Sequence, residues 1–146
     1  MRRADRVEAK GHWDAADQSA SVTLPFSERH RRRIRLQDDA GEAFLLDLVE
    51  ARLLRGGDGL VTDRGVIAVQ AAAEPVATLS CRDAVHCARL AWHLGNRHLS
   101  VQVIDEVTLR ISQDHVIEAM CEGLGAEVER HEAAFEPEGG AYHSHD

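Results

Sequence analysis

The histidines of this chain are its clearest candidates for chemistry. There are nine in 146 residues, and imidazole suits nickel, copper, zinc and cobalt better than calcium or magnesium. His143 and His145 stand two residues apart near the C-terminus, so both could bind one metal ion. A polar terminus or the remnant of an expression tag is the alternative interpretation of this pair.

His115 follows Asp114 at a predicted boundary between a strand and a helix. The positive end of the helix dipole disfavours imidazolium, so we expect a neutral ring with a lone pair to donate. The same dipole disfavours a nearby cation, and one imidazole alone binds a metal weakly. A two-fold axis beside His115 would supply the second ring; without one, this is a surface histidine in a first helical turn.

The remaining residues with chemical potential favour structural roles. His86 and His93 lie on one face of a predicted helix, and we interpret residues 93–98 as a helix end whose polar groups satisfy terminal carbonyls. The three cysteines lack CxxC spacing, which disfavours a structural zinc site. Without an export signal, we expect reduced thiols in a cytoplasmic protein. No G-x-S-x-G or H-E-x-x-H motif occurs, and we predict that the protein is not an enzyme.

Composition narrows the possible partners. Hydrophobic residues make up 44% and charged residues 29%, as in a soluble globular protein. The net charge of −8 and an aromatic content of 4% argue against a nucleic-acid partner. No apolar run is long enough to cross a bilayer, so we expect no membrane partner.

A basic run from Arg29 to Arg35 is the exception to this acidic composition. Such a run could bind phosphates or a protein partner. In the simpler interpretation, Ile34 and Leu36 face the core of a strand while the arginines cover its solvent face.

The first half of the chain predicts a small all-β domain over residues 1–75. Residues 1–17 show no pattern and are expected to form an extension. Alternating apolar residues then predict short strands separated by Gly/Asp turns, at residues 21–24, 31–36, 44–48, 60–61 and 66–69.

The second half, residues 76–146, predicts a ferredoxin-like βαββαβ domain and hence an α+β protein overall. Its strands are expected at residues 76–79, 99–103, 107–111 and 126–129. Ser80 and Ser112 are the predicted N-caps of the two helices, and Gly95-Asn96 is the predicted left-handed end of the first. A flexible tail is expected from about residue 132.

Three segments together resemble the urease accessory protein UreE family: His93-Leu94-Gly95-Asn96-Arg97-His98, Asp114-His115-Val116, and residues 135–142 with their histidine-bearing end. Leu24-Pro25-Phe26 and the strand region at 29–36 also resemble that family. The similarity covers the chain from about residue 18 onward.

The resemblance implies a nickel metallochaperone that is a homodimer. Its N-terminal β domain would contact partner proteins, and its ferredoxin-like domain would dimerise and bind metal. The interfacial nickel-binding histidine of the family falls on His115, one from each protomer. His143 and His145 would complete the site, and His131 could add a ligand from the last strand. Zn²⁺ or Cu²⁺ would compete with Ni²⁺ in vitro.

The implied partners are the urease-maturation GTPase and the urease apoprotein complex, to which nickel would be handed over. Two alternatives stay open. One is a structural adaptor that does not depend on metal, and the other is a nucleic-acid-binding protein acting through Arg29–Arg35.

Overall fold

A computed structural model describes residues 1–139 and divides the chain into two compact units, the first ending at Ala72 and the second beginning at Ala73. The sequence placed this boundary after Pro75, because proline usually ends a strand. Pro75 instead lies within a strand, opposite Glu132. The neighbouring strand on the other side begins its pairing only at Val76, so proline there interrupts no ladder on that side.

The first unit is all-β, as predicted. Its strands form two sheets, ordered β1-β5-β4 and β2-β6-β7-β3. Alternate residues of both sheets enter one core that contains Val22, Phe44, Leu46 and Ile67. The strands are β1 (Arg2–Ala4), β2 (Arg6–Glu8), β3 (Gln18–Leu24), β4 (His30–Gln37), β5 (Ala43–Leu53), β6 (Gly59–Thr62) and β7 (Gly65–Ala71).

Residues 1–17 are not the extension that the sequence predicted, because strands β1 and β2 belong to the two sheets. β1 pairs in parallel with β5, and Ala4 is fully buried opposite Leu46. Arg2 is also buried, and its Nη2 donates to Asp38 Oδ2 at 2.8 Å. This hydrogen bond holds the pKa of the Asp38 carboxyl below its usual value. Three-residue strands are too short to show an alternating pattern.

The basic run also departs from its predicted arrangement at its start. Ile34 and Leu36 pack against the core as expected. Arg29, however, is fully buried, and its Nη1 donates to the Leu54 carbonyl at 3.3 Å.

The second unit has the predicted βαββαβ order. Its elements are β8 (Ala73–Ser80), α1 (Ala84–Asn96), β9 (Gln102–Asp105), β10 (Thr108–Ser112), α2 (His115–Gly123) and β11 (Glu127–Ala134). The sheet order is β11-β8-β10-β9 and every neighbouring pair is antiparallel. Leu79, Leu90, Leu109 and Cys121 meet in the core between helices and sheet.

Aspartates rather than the predicted serines cap both helices. Asp83 accepts from the His86 amide, and Asp114 accepts from the amides of Val116 and Ile117. Ser80 and Ser112 are instead the last residues of β8 and β10. A carboxylate is an equally good N-cap and also favours the positive end of the helix dipole.

The residues that directly follow 132 are not the flexible tail that the sequence predicted. β11 continues to Ala134, and Phe135 is fully buried. The Glu138 amide then donates to the Val101 carbonyl at 2.8 Å, next to the start of β9. Within residues 1–139, no helix is long and apolar enough to cross a membrane.

Candidate metal-binding site

His115 is the first residue of α2 and is exposed, as predicted. Its Nδ1 lies 3.3 Å from Nη2 of Arg130. A guanidinium group has only donors, so Nδ1 accepts and the neutral ring carries its proton on Nε2. A metal ion could bind either ring nitrogen only after the contact with Arg130 is broken.

Arg130 is held beside α2 by Glu118. Its Nε donates to Oε1 at 2.6 Å and its Nη2 to Oε2 at 2.8 Å. Glu118 also accepts from the Asp114 amide at 2.8 Å. The hydrogen bond from Arg130 holds the pKa of the Glu118 carboxyl below its usual value. This carboxylate therefore orders the start of α2 and has little capacity left for a metal ion.

His131 lies on β11, but the structure does not bring it to His115. The preceding residue, Arg130, reaches α2, and successive strand residues point to opposite faces. His131 thus lies on the face away from α2, where its Nε2 is 2.6 Å from Thr78 Oγ1. Arg110 Nε donates to the same hydroxyl at 3.1 Å. One imidazole nitrogen of His131 is therefore already engaged by the protein.

His143 and His145 lie outside the described residues. The chain before them passes Val101, at the start of β9. Because β9 and β10 are antiparallel, the start of β9 and the end of β10 lie at the same end of the sheet. α2 and His115 follow directly after β10. Glu138, near the last of the described residues, therefore lies at the same end of the sheet as His115.

His98, which the sequence analysis assigned to a structural turn, lies at that end too. Its φ is +59°, and within residues 1–139 it is the one non-glycine residue with positive φ. Its amide donates to the Gly95 carbonyl and the Leu99 amide to the Leu94 carbonyl, which together cap α1. The corresponding position after α2 is Gly125. A histidine where the fold favours glycine stores strain, and such strain is often a sign of function.

The surroundings of His98 suit a cation better than those of His115. The His98 side chain is exposed, and no hydrogen bond to its ring occurs within the described part of the chain. The neighbouring Arg97 directs its Nε toward Met120 Sδ at 3.0 Å.

The cysteines are poorly placed to act as metal ligands. Burial raises the pKa of Cys121 to about 11 and that of Cys81 to about 11. At these pKa values both thiols are protonated near neutral pH, whereas only the thiolate binds metal strongly. Within residues 1–139, no three side chains of histidine, cysteine, aspartate or glutamate form a metal-binding group.

The outer face of α1 is unusually apolar for an exposed surface. Val85 is 60% and Trp92 64% exposed, and Ala88 lies between them. Spacings of three, four and seven residues place these side chains on one stripe of the helix. Such a stripe is typical of a surface that another protein covers.

The fold and its exposed imidazoles define a two-unit α+β protein whose second unit is the candidate site of metal binding. Comparison with known families gives the assignment. Residues 2–72 match the N-terminal domain of the UreE urease accessory protein, and residues 74–146 match its C-terminal domain. The chain belongs to the UreE urease accessory protein family.

Individual relatives agree with this assignment. A urease accessory protein UreE from Bradyrhizobium sp. strain BTAi1 is 52% identical over 143 residues, covering 97% of this chain and 68% of the relative. A UreE from Chelativorans sp. strain BNC1 is 50% identical over 149 residues, covering 100% of this chain and 91% of the relative. One from Agrobacterium fabrum strain C58 is 49% identical over 130 residues, 87% of this chain and 79% of the relative.

Proposed function

We propose that the protein is a nickel-binding metallochaperone that delivers Ni²⁺ for assembly of the urease active site. The observation that carries this proposal is the match of both units to the UreE family along almost the whole chain. In this role the protein binds its cargo without transforming it, so it is not an enzyme. Its place is the cytoplasm, with the urease-maturation GTPase and the urease apoprotein complex as partners.

The proposed nickel site is shared between two protomers, because one exposed imidazole binds a metal ion weakly. Contact along the apolar stripe of α1 would form the homodimer. Imidazoles near the two-fold axis would then hold Ni²⁺, and the tail histidines His143 and His145 would add ligands. His115 is the ligand that the family resemblance implies, and His98, which follows α1 directly, is the one that the local geometry favours.

Handover follows from the chemistry of such a site. Neutral imidazoles hold Ni²⁺ against adventitious ligands, and an exposed site lets the ligands of a partner replace them one at a time. Zn²⁺ and Cu²⁺ compete in vitro, because imidazole sites select only weakly among these metals.

Calorimetric nickel titration combined with analytical ultracentrifugation tests this proposal. We expect about one tight Ni²⁺ per dimer, since a two-fold axis creates one shared site. Removal of residues 143–146 should weaken binding, and tight binding should be lost in either His115→Ala or His98→Ala, whichever removes the interfacial ligand. His12→Ala, an exposed histidine of the first unit, is the control and should change nothing.

His98→Gly sharpens the test, because glycine adopts positive φ without strain. If His98 is a ligand, this variant should bind nickel poorly while unfolding at a higher temperature than the wild type. Tight nickel binding retained by both His98→Ala and His115→Ala would contradict the shared-imidazole site. A protein that binds its partners equally well after chelation of all metal would be a structural adaptor instead.

A further inference from the structure

One face of the first unit has a strong excess of positive charge. The strand register places five arginines on the outer side of the sheet formed by β1, β5 and β4, opposite the core residues. We call this set the arginine face: Arg3, Arg31, Arg33, Arg35 and Arg52. Asp47 is the carboxylate that the same register places among them.

Asp47 neutralises only part of this charge. Its Oδ2 lies 3.0 Å from Arg3 Nε, and its Oδ1 lies 4.0 Å from Arg33 Nε. Arg31 and Arg52 stand directly opposite each other on β4 and β5, an arrangement that is unfavourable for two like charges. Within residues 1–139, no ion pair involves Arg31, Arg35 or Arg52. A ligand with several carboxylates would relieve this repulsion.

The arginine face adjoins the edge of a sheet. β4 pairs only with β5, so the amides and carbonyls on the other side of residues 31–37 have no strand partner in the described part of the chain. Next to it, the register of β4 and β5 shifts, so that residues 48–51 of β5 form a bulge opposite Arg32. Val49 in this bulge is 89% exposed and offers an apolar contact beside the charges.

We propose that the arginine face and the free edge of β4 bind an extended acidic segment of a partner protein by strand addition. Side chains on one face of a strand repeat about every 6.6–6.8 Å. An added strand with carboxylates at alternate positions would therefore meet the exposed Arg33 and Arg35 in turn, while its backbone pairs with β4. Arginine forks suit this task because they bind carboxylates bidentately.

A protein segment fits this surface better than nucleic acid. The free backbone edge of β4 can pair with an extended polypeptide but not with a nucleic acid. The arginine face also contains no aromatic side chain on which a base could stack. The proposal does not depend on nickel binding, which we assign to the second unit.

Fluorescence anisotropy with synthetic peptides on the full-length protein tests the proposal. The probe is a labelled peptide in which glutamate alternates with threonine, and the comparison peptide has the same composition with its glutamates in one block. The variant is Arg33→Gln/Arg35→Gln. Its matched control is Arg6→Gln/Arg64→Gln, which removes the same charge from exposed arginines outside the face.

The alternating peptide should bind the wild type, and the Arg33→Gln/Arg35→Gln variant should bind it roughly tenfold more weakly. The control variant should stay within about twofold of the wild type. Equal binding of the block peptide, equal losses in the two variants, or no binding at all would overturn the proposal. Stronger binding of a single-stranded oligonucleotide than of the alternating peptide would overturn it in favour of a nucleic-acid surface. Circular dichroism of both variants checks that the fold is unchanged.

Discussion

At the scale of single residues, Arg130 connects the features that define the start of α2. Its guanidinium binds Glu118 through two hydrogen bonds and approaches Nδ1 of His115 at 3.3 Å. The Glu118 side chain is only 7% exposed, whereas that of Arg130 is 40% exposed. The buried carboxylate therefore depends on a partner that water can reach, and this partner also restricts the candidate ligand His115.

Glu118→Gln should lower the free energy of unfolding by about 1–2 kcal/mol at neutral pH, because it weakens charge-assisted hydrogen bonds to Arg130. The pKa of Glu118 is lowered in the folded state, so its contribution is present above the unfolded value and is lost as pH falls through the folded value. Urea unfolding at neutral and acidic pH should show a shallower acid loss for Glu118→Gln than for the wild type. Glu122→Gln, exposed on the same helix, is the control. Parallel acid profiles for Glu118→Gln and the wild type would contradict this role.

At the scale of elements, the short strand β1 is an integral part of the first unit. It pairs in parallel with β5, which makes β5 the central strand of its sheet. The ion pair between Arg2 and Asp38 links β1 to the turn after β4. An N-terminal segment without sequence periodicity thus forms a strand because it pairs with β5.

Ala4→Asp tests this conclusion. It buries a carboxylate at a fully buried position and should destabilise the protein by about 3 kcal/mol or more. Ala9→Asp makes the same change at an exposed position and should stay within about 0.5 kcal/mol of the wild type. The measurement is urea unfolding followed by circular dichroism. If the segment were a mere extension, both variants would unfold like the wild type.

At the scale of the whole molecule, the proposed dimer makes a separate prediction. Trp92→Glu places a charge in the apolar stripe of α1 and should convert the dimer to monomers that remain folded. Val116→Glu changes a side chain that is 77% exposed at the start of α2 and should leave the dimer intact. Sedimentation velocity distinguishes these outcomes. If Val116→Glu were monomeric and Trp92→Glu dimeric, the dimer interface would lie at α2 and His115 would be the interfacial ligand.

The sequence by itself determined the α+β class, the ferredoxin-like order of the second unit and the family, because these depend on local periodicity and on ordered motifs. Ile34 and Leu36, for example, alternate as core residues must in a strand. The sequence also identified the histidines as candidate ligands. Which of them bind nickel stays a prediction.

Only the tertiary structure decided which polar groups already have partners. Arg29 is buried, Arg130 contacts His115, and Thr78 engages His131, although nothing in the local sequence of these residues announces such long-range contacts. The left-handed backbone of His98 could likewise be recognised only once the structure showed where α1 ends. The physical reason is that periodicity reports which face of an element is apolar, whereas hydrogen bonds and strain depend on what other elements bring to that face.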